Sequence, residues 1–302
     1  MLHPAGPQAE RILELWWVTL AICAAVFIAV LIALGIALLK RPSPARGATV
    51  AVVSATALSL ALLVVLIFLS FGTDRALATL PGEDPLKIEL VAHRWWWEAR
   101  YQDPEPSKTF TTANELHIPV GRTVEFTLKA DDVIHSLWVP NLGGKKDLIP
   151  GRTATLRLRA DKAGEYRGQC AEFCGTQHAK MALTVFSDSE MDFQKWMERQ
   201  RSNAPTPKTD EQKRGQELFV NGTCAMCHAV QGTPANGRRA PDLTHFASRK
   251  TLGAGAAPNT RGHLAGWIVG PHSLKPGVNM PAHTTLSPSD LHALVAYLES
   301  LE

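Results

Sequence analysis

Two long uncharged stretches dominate the first quarter of the chain. Residues 15–39 form a run of 25 positions without Asp, Glu, Lys or Arg, and residues 47–73 form a second run of 27. A helix needs about 20 apolar residues to cross a bilayer. The pattern therefore predicts a transmembrane hairpin with helices at about residues 15–39 and 48–71.

The charges between these two runs predict their orientation. Residues 40–46 contain three basic residues and no acidic residue. Loops rich in Lys and Arg stay on the cytoplasmic side of a membrane. Both soluble parts of the chain are therefore expected on the outer face of the membrane, with Trp16 and Trp17 at the interface.

Beyond residue 85 the apolar positions alternate with polar ones. Residues 87–91, 124–129 and 155–159 show this period of two, and Pro and Gly turns separate such segments. Short alternating strands bounded by turn residues indicate an all-β sandwich or barrel. A helix is expected near residues 189–201 to close this domain.

The last third of the chain has the pattern of a small helical domain. Residues 202–209 have the composition of a linker, and eight flexible residues span about 15 Å. A helical pattern opens at Asp210, and Ser287 followed by Pro288 predicts the N-terminus of a closing helix.

Charge and cysteine usage narrow the class of protein. The net charge is +3 over 302 residues, without a basic patch of the kind that binds nucleic acid. Cys23 lies in an apolar run and is expected to be a buried small hydrophobe. The other four cysteines form two close pairs, each with His and Met nearby, which favours cofactor binding over a disulfide framework.

The first cysteine pair belongs to a set of soft metal ligands. Cys170, Cys174, His178 and Met181 fall within twelve residues, and His135 lies upstream. Thiolate, imidazole and thioether together suit copper, and a mononuclear blue-copper site uses one Cys, two His and a weak Met. Two Cys and two His are enough for two coppers that share both sulfurs. A disulfide or a zinc site remains the alternative.

The second cysteine pair forms a C-x-x-C-H motif. Cys224, Cys227 and His228 match the covalent attachment signature of c-type haem, in which the histidine binds the iron. A thioredoxin-like pair or half a zinc site would need a βαβ context or a second Cys pair, which the sequence around this motif lacks.

The second iron ligand follows by elimination. This domain contains two methionines, and Met226 lies inside the attachment motif, so Met280 is the candidate. Methionine ligation raises the haem potential, which suits a donor to copper. The histidines that could compete are expected to be structural or exposed. They are His245, His263, His272, His283 and His292.

The helices, the two ligand segments and the haem motif together resemble subunit II of cytochrome c oxidase, in the form with a fused cytochrome c domain. The resemblance implies a multidomain membrane protein with a two-helix hairpin, an all-β cupredoxin-like sandwich and an all-α cytochrome c domain. The expected parts are an N-terminal periplasmic tail (1–14), the hairpin (15–73), the cupredoxin-like domain (74–201), the linker (202–209) and the cytochrome c domain (210–302).

The same resemblance implies a binuclear CuA centre with six ligands. They are two bridging thiolates, two imidazoles, a weak thioether and a backbone carbonyl, from Cys170, Cys174, His135, His178, Met181 and Glu172. The side chain of Glu172 is expected to reach a magnesium ion shared with subunit I. Pro241 resembles the proline whose carbonyl orients the haem histidine.

Three adjacent tryptophans, at positions 95–97, stand beside the first predicted strand. They cannot all face one side of a strand, so at least one is expected to be exposed near the copper loop. The resemblance implies that electrons from an external donor enter at Trp95.

The implied function is an electron relay from haem c to CuA and on to subunit I, where oxygen is reduced and protons are pumped. The implied partners are subunits I and III, the lipid bilayer, and a donor such as a cytochrome c or a quinol–cytochrome c reductase. Two alternatives stay open: the CuA-containing input subunit of a nitric oxide reductase, and a membrane-bound electron carrier without turnover of its own.

Overall fold

The chain folds into a helical hairpin, a β-domain and a C-terminal helical domain. The structure is a computed structural model that describes residues 2–39, 47–78, 80 and 84–302. The loop predicted to be cytoplasmic, residues 40–46, lies outside the described residues.

The hairpin consists of α1 (Pro7–Leu39) and α2 (Ala48–Ala78), which contact each other. Within the described residues, the most apolar 18-residue window of each helix has no buried side chain. Large apolar groups such as Phe27 and Phe68 are mostly exposed. An apolar surface of this extent is unfavourable in water, whereas a bilayer accommodates it. The two helices therefore anchor the chain in a membrane.

Both helices extend beyond the apolar runs that predicted them. Helix α1 has 33 residues, or about 50 Å, which exceeds the roughly 30 Å hydrocarbon core of a bilayer. Hydropathy marks only the part of a helix that contacts lipid, so it misses the polar first turns of α1 and the last turns of α2.

The first residues of the chain pack on the β-domain, although sequence analysis treated them as a tail. The backbone of Ala5 bonds to Asn141 and Asp161 at 2.8 and 2.7 Å. The Gln8 amide donates to the carbonyl of Arg157 at 2.6 Å, and Gln8 is buried. These contacts fix the membrane helices against the sandwich.

The β-domain is a sandwich of two five-stranded sheets. Its ten strands are β1 (Leu86–His93), β2 (Trp96–Tyr101), β3 (Phe110–Ala113), β4 (Glu115–Pro119), β5 (Val124–Ala130), β6 (His135–Trp138), β7 (Lys146–Leu148), β8 (Ala154–Leu158), β9 (Gly164–Cys170) and β10 (Ala182–Asp188). The strand orders are β3-β2-β1-β5-β8 and β4-β10-β9-β6-β7. The buried faces of the two sheets share one hydrophobic core.

Helix α3 (Glu190–Arg201) closes the sandwich where the sequence predicted a helix. The Ser189 side chain accepts a hydrogen bond from the backbone of Asp192 and caps the helix N-terminus. Trp196 then packs its ring 5.1 Å from Tyr101 and 5.5 Å from Phe110, measured between centroids. These contacts attach the helix to the β-domain core.

The C-terminal domain is mainly helical. Its elements are α4 (Asp210–Asn221), a small hairpin of β11 (Thr251–Leu252) and β12 (Ala257–Pro258), α5 (Arg261–Val269), α6 (Pro271–Leu274) and α7 (Pro288–Glu299). Thr209 and Gln212 form a capping box at the start of α4, and Ser287 caps α7. The first and last helices of the domain cross, with the Phe219 and Tyr297 rings 5.8 Å apart.

The segment predicted as a flexible linker is attached to the helical domain. The backbone N–H of Ala204 donates to Gln231 at 3.0 Å, and the His245 ring lies 3.1 Å from the carbonyl of Ser202. Pro207 is buried. The random-coil span of about 15 Å therefore does not describe this segment, because specific contacts replace free rotation.

Gly215 allows the crossing of α4 and α7, because a Cβ at this position would overlap the carbonyl oxygen of Ala293. We expect Gly215→Ala to destabilise the helical domain by about 1–3 kcal/mol, since a well-packed contact would be overfilled. Thermal or denaturant unfolding followed by circular dichroism measures the effect.

Gly262→Ala is the matched control for this substitution. Gly262 also lies inside a helix of this domain, and a Cβ there would meet nothing within 4 Å. Ala should therefore leave stability unchanged or raise it by about 0.5–1 kcal/mol. Equal destabilisation by both variants would contradict the proposed close crossing.

Candidate copper and haem sites

The pairing of three strands brings the predicted copper ligands together. Strand β9 ends at Cys170, β6 begins at His135, and Leu137 of β6 pairs with Cys170. The backbone N–H of Cys170 also donates to the carbonyl of Met181, at 2.9 Å. The loop between β9 and β10 is thus closed at its base. His135 begins a strand adjacent to the cysteine strand.

All six predicted donor atoms lie close to a cysteine sulfur. On the Cys170 side, the Sγ atom lies 3.8 Å from His135 Nδ1 and 3.2 Å from the carbonyl oxygen of Glu172. On the Cys174 side, the Sγ atom lies 3.6 Å from His178 Nδ1 and 3.9 Å from Met181 Sδ. Each sulfur therefore has one imidazole and one weaker donor beside it.

The donor set fits a copper pair better than a disulfide. The two Sγ atoms are 3.7 Å apart, against about 2.05 Å in a disulfide. Cys170, Cys174 and Met181 are buried, and His135 is fully buried. Two thiolates, two imidazoles and a thioether in a shielded cluster form the soft ligand set that copper prefers.

The electrostatics of the cluster favour the deprotonated, metal-binding form of Cys170 but oppose the metal-binding forms of Cys174 and His135. A hydrogen bond from Cys174 lowers the pKa of Cys170, and the same contact raises the pKa of Cys174. Burial lowers the pKa of His135, but its contacts with Cys170 and Asp132 outweigh burial and raise it overall.

Asp132 orients His135, a role that sequence reasoning missed. Its Oδ1 atom lies 2.8 Å from His135 Nε2, which leaves Nδ1 facing Cys170. A carboxylate on the outer nitrogen fixes the ring and the tautomer of a ligating histidine. In the sequence, an acidic residue three positions before the histidine could have indicated this role.

None of the three tryptophans is fully exposed, although at least one was expected to be exposed near the copper loop. Trp95 and Trp97 are buried, and Trp96 is half-buried. Trp95 Nε1 donates to the carbonyl of Cys174 at 3.0 Å, so Trp95 does contact the copper loop. It is buried because the C-terminal domain covers it: Lys275 Nζ donates to its carbonyl oxygen at 2.7 Å.

The haem motif has the geometry that iron ligation requires on the histidine side. Cys224 and Cys227 flank a single turn, and the N–H of His228 donates to Cys224 at 3.0 Å. His228 Nδ1 lies 2.7 Å from the carbonyl oxygen of Pro241, which leaves Nε2 for the iron. Burial lowers the pKa of His228 and keeps the ring in the neutral, ligand-competent form.

The structure shows what some of the other candidate iron ligands contact. His245 is buried and bonds through Nδ1 to the carbonyl of Glu302 at 2.7 Å, so its role is structural. His263 bonds to Thr260 at the start of α5. Met280 is half-buried in the loop after α6, and its ligation of iron stays a prediction.

Comparisons with known proteins match both soluble domains. The family model described as cytochrome c oxidase subunit II, periplasmic domain, matches residues 105–187, and the cytochrome c model matches residues 212–302. The solved periplasmic domain of subunit II of cytochrome oxidase from Bradyrhizobium japonicum is 28% identical, with a TM-score of 0.38. The match covers 41% of this chain and 97% of the solved domain.

Two relatives match more of the chain. Cytochrome c oxidase subunit 2 of Alkalihalophilus pseudofirmus is 34% identical over 100% of this chain and 90% of its own length. The subunit 2 of Bacillus subtilis is 35% identical over 73% of this chain and 64% of its own length.

The fold and the ligand clusters define a membrane-anchored redox protein with a cupredoxin-like domain and a cytochrome c domain. The predicted fold class is thereby confirmed. The chain belongs to the family of cytochrome c oxidase subunit 2. Its two soluble domains are of the copper-binding and haem c-binding kinds.

Removing the Asp132 carboxylate should weaken copper binding. We expect Asp132→Asn to lower the copper affinity about 10- to 100-fold, because the outer hydrogen bond of His135 would be lost or its tautomer changed. Asp131→Asn is the control, since Asp131 is mostly exposed and contacts His93 instead. Competition with a copper chelator measures both affinities, and equal values for the two variants would contradict the role of Asp132.

Proposed function

We propose that this chain is the electron-relay subunit of a haem-copper oxidase. It accepts electrons at haem c, passes them to a CuA centre and delivers them to the oxygen-reducing site of subunit I, where proton pumping is coupled. The observation that carries the proposal is the buried cluster of two thiols and the four donor atoms around them, within one chain that also contains a c-type haem motif.

The protein residues hold each centre in one geometry. Two thiolates shared by two coppers would spread a single electron over both metals, which limits structural change on reduction. The strand pairing at Cys170 and the Asp132 carboxylate hold the ligating side chains in position. On the haem side, Pro241 orients His228, and Met280 is the proposed second ligand.

The outer rim of the copper loop is the proposed contact with subunit I. Phe173 and Ile134, which neighbour copper ligands, expose 76% and 43% of their surface. An exposed aromatic ring and an exposed aliphatic side chain beside the ligand cluster fit a surface that a partner covers. Glu172 is also accessible, with its carboxylate 3.6 Å from Lys145 Nζ. This position supports the proposal that Glu172 binds magnesium at the boundary with subunit I.

We propose that the membrane helices bring this rim close to a membrane-embedded partner. We propose that the chain resides in a bacterial inner membrane with both soluble domains on the periplasmic side. There it would assemble with subunits I and III and receive electrons from a cytochrome c or a quinol–cytochrome c reductase.

Purification of the intact complex tests the function directly. We expect oxygen consumption with a reduced donor, and a copper electron paramagnetic resonance (EPR) signal from one electron shared by two nuclei. Cys174→Ser should abolish both, because one bridging ligand is lost. Cys23→Ser is the control and should change neither, since Cys23 lies in α1. A single-copper signal in the unmodified protein would contradict a CuA centre.

The ligation of the haem iron is tested by exchanging methionines. Met280→Ala should leave haem covalently attached but remove the absorption features of a methionine-ligated iron. Met226→Ala is the matched control, because Met226 lies within the attachment motif and is 72% exposed. Optical spectra and haem staining of denatured protein measure both properties. An unchanged spectrum in Met280→Ala would rule out the proposed ligand.

A further inference from the structure

A short segment of the haem domain lies directly on the copper loop. We call residues 274–279, which immediately precede Met280, the docking segment. Lys180 Nζ donates to the carbonyl of Leu274 at 2.7 Å, and Gln177 Nε2 donates to that of Pro276 at 2.5 Å. Asn279 Nδ2 donates to the carbonyl of Arg94 at 3.3 Å. The segment that leads to the proposed iron ligand is thus bonded to the loop that carries the proposed copper ligands.

Lys275 is the buried centre of this contact. Its side chain is 1% exposed, and its Nζ atom donates to the carbonyl oxygens of Trp95, at 2.7 Å, and Gly253, at 2.8 Å. Lysine is rarely buried, because removing an ammonium group from water is unfavourable. Burial lowers the pKa of Lys275 to about 7. Because a buried donor must keep its hydrogen-bond partners, Lys275 restricts how the two domains can be oriented.

Trp95 connects Lys275 to the copper loop. Its carbonyl accepts from Lys275, and its indole N–H donates to the carbonyl of Cys174 at 3.0 Å. Gly175 has a positive φ of 110°, and a Cβ there would lie 3.2 Å from the Trp95 ring. The tryptophan is therefore fixed between the two domains, and two hydrogen bonds lead from Lys275 to a copper-ligand residue.

We propose that the docking segment holds the haem domain on the copper loop, and that Lys275 is a positioning residue that makes Trp95 an internal relay. In this arrangement Trp95 receives electrons from the haem of its own chain and is closed to a separate donor. The inference rests on the proposed function. The step it serves moves one electron from the reduced haem to the copper pair, with no bond formed or broken.

A second lysine in the same interface provides a control. Lys250 Nζ lies 2.5 Å from Glu165 of β9, and its side chain is 60% exposed. This pair also joins the haem domain to the sandwich, but at the surface. Exposed ion pairs contribute little to stability, so its loss should leave the docking segment and Trp95 in place.

The rate of haem-to-copper electron transfer in the full chain tests the role of Lys275. The haem is reduced by a light-triggered donor, and the copper absorbance is followed. Lys275→Met keeps the unbranched stem and removes both hydrogen bonds. We expect transfer at least about tenfold slower, since small displacements of positioned groups change rates by such factors. Lys250→Met should change the rate less than about twofold.

The copper EPR signal and the haem spectrum are recorded for every variant. If both match the unmodified protein and Lys275→Met transfers electrons at the normal rate, the role of Lys275 is overturned. If the unmodified protein lacks these signals, the proposed function fails instead. Trp95→Phe is the second variant should Lys275→Met not fold: it keeps an aromatic ring, loses the bond to Cys174, and should also slow transfer.

Cleavage between the domains tests docking without any redox readout. A protease site is introduced at residues 205–206, which are exposed. After cleavage of the full chain in detergent, we expect the two parts to elute together in size-exclusion chromatography. Separation of the parts at micromolar concentration would overturn the docking segment as the element that holds the haem domain.

Discussion

The backbone register around Cys170 is the constraint on which both candidate centres depend. Cys170 pairs with β6 on one side, and its N–H bonds to Met181 on the other. Because side chains alternate between the faces of a strand, a shift of one residue would turn Cys170 away from His135. The same register presents the carbonyl of Cys174 to Trp95, and the Gln177 and Lys180 side chains to the haem domain. The ligand cluster and the interdomain contact are therefore consequences of one strand alignment.

Sequence reasoning succeeded where the information is local. The uncharged runs predicted two helices, alternation predicted strands such as β5, and the C-x-x-C-H motif predicted a haem site. Capping residues predicted the start of α7 because the cap bonds are made within one turn. The ligand set of the copper site was predicted from residue types and a family resemblance. The structure adds that these donor atoms converge.

What the sequence did not reveal depends on contacts between distant segments. Nothing local distinguishes Lys275 from an exposed lysine, since its burial results from Trp95, 180 positions away. The same contact explains why Trp95 is covered although a neighbouring run of tryptophans suggested an exposed ring. The residues predicted as a free linker are bonded to Gln231 for a similar reason. Composition describes the preferences of an isolated segment and does not report which surface it will meet.

The interface between the two soluble domains is polar, which has a consequence for electron transfer. Buried Glu115 accepts bonds from the backbone N–H groups of Lys250 and Thr251, at 3.1 and 2.9 Å, while Lys275 donates to two carbonyls. A buried polar group without a partner costs about 1–3 kcal/mol, so such contacts tolerate few alternative orientations. An apolar interface of the same size would allow one domain to shift against the other, because apolar contacts are not directional. Because an electron relay needs a fixed separation between its centres more than it needs tight binding, a hydrogen-bonded interface suits this chain.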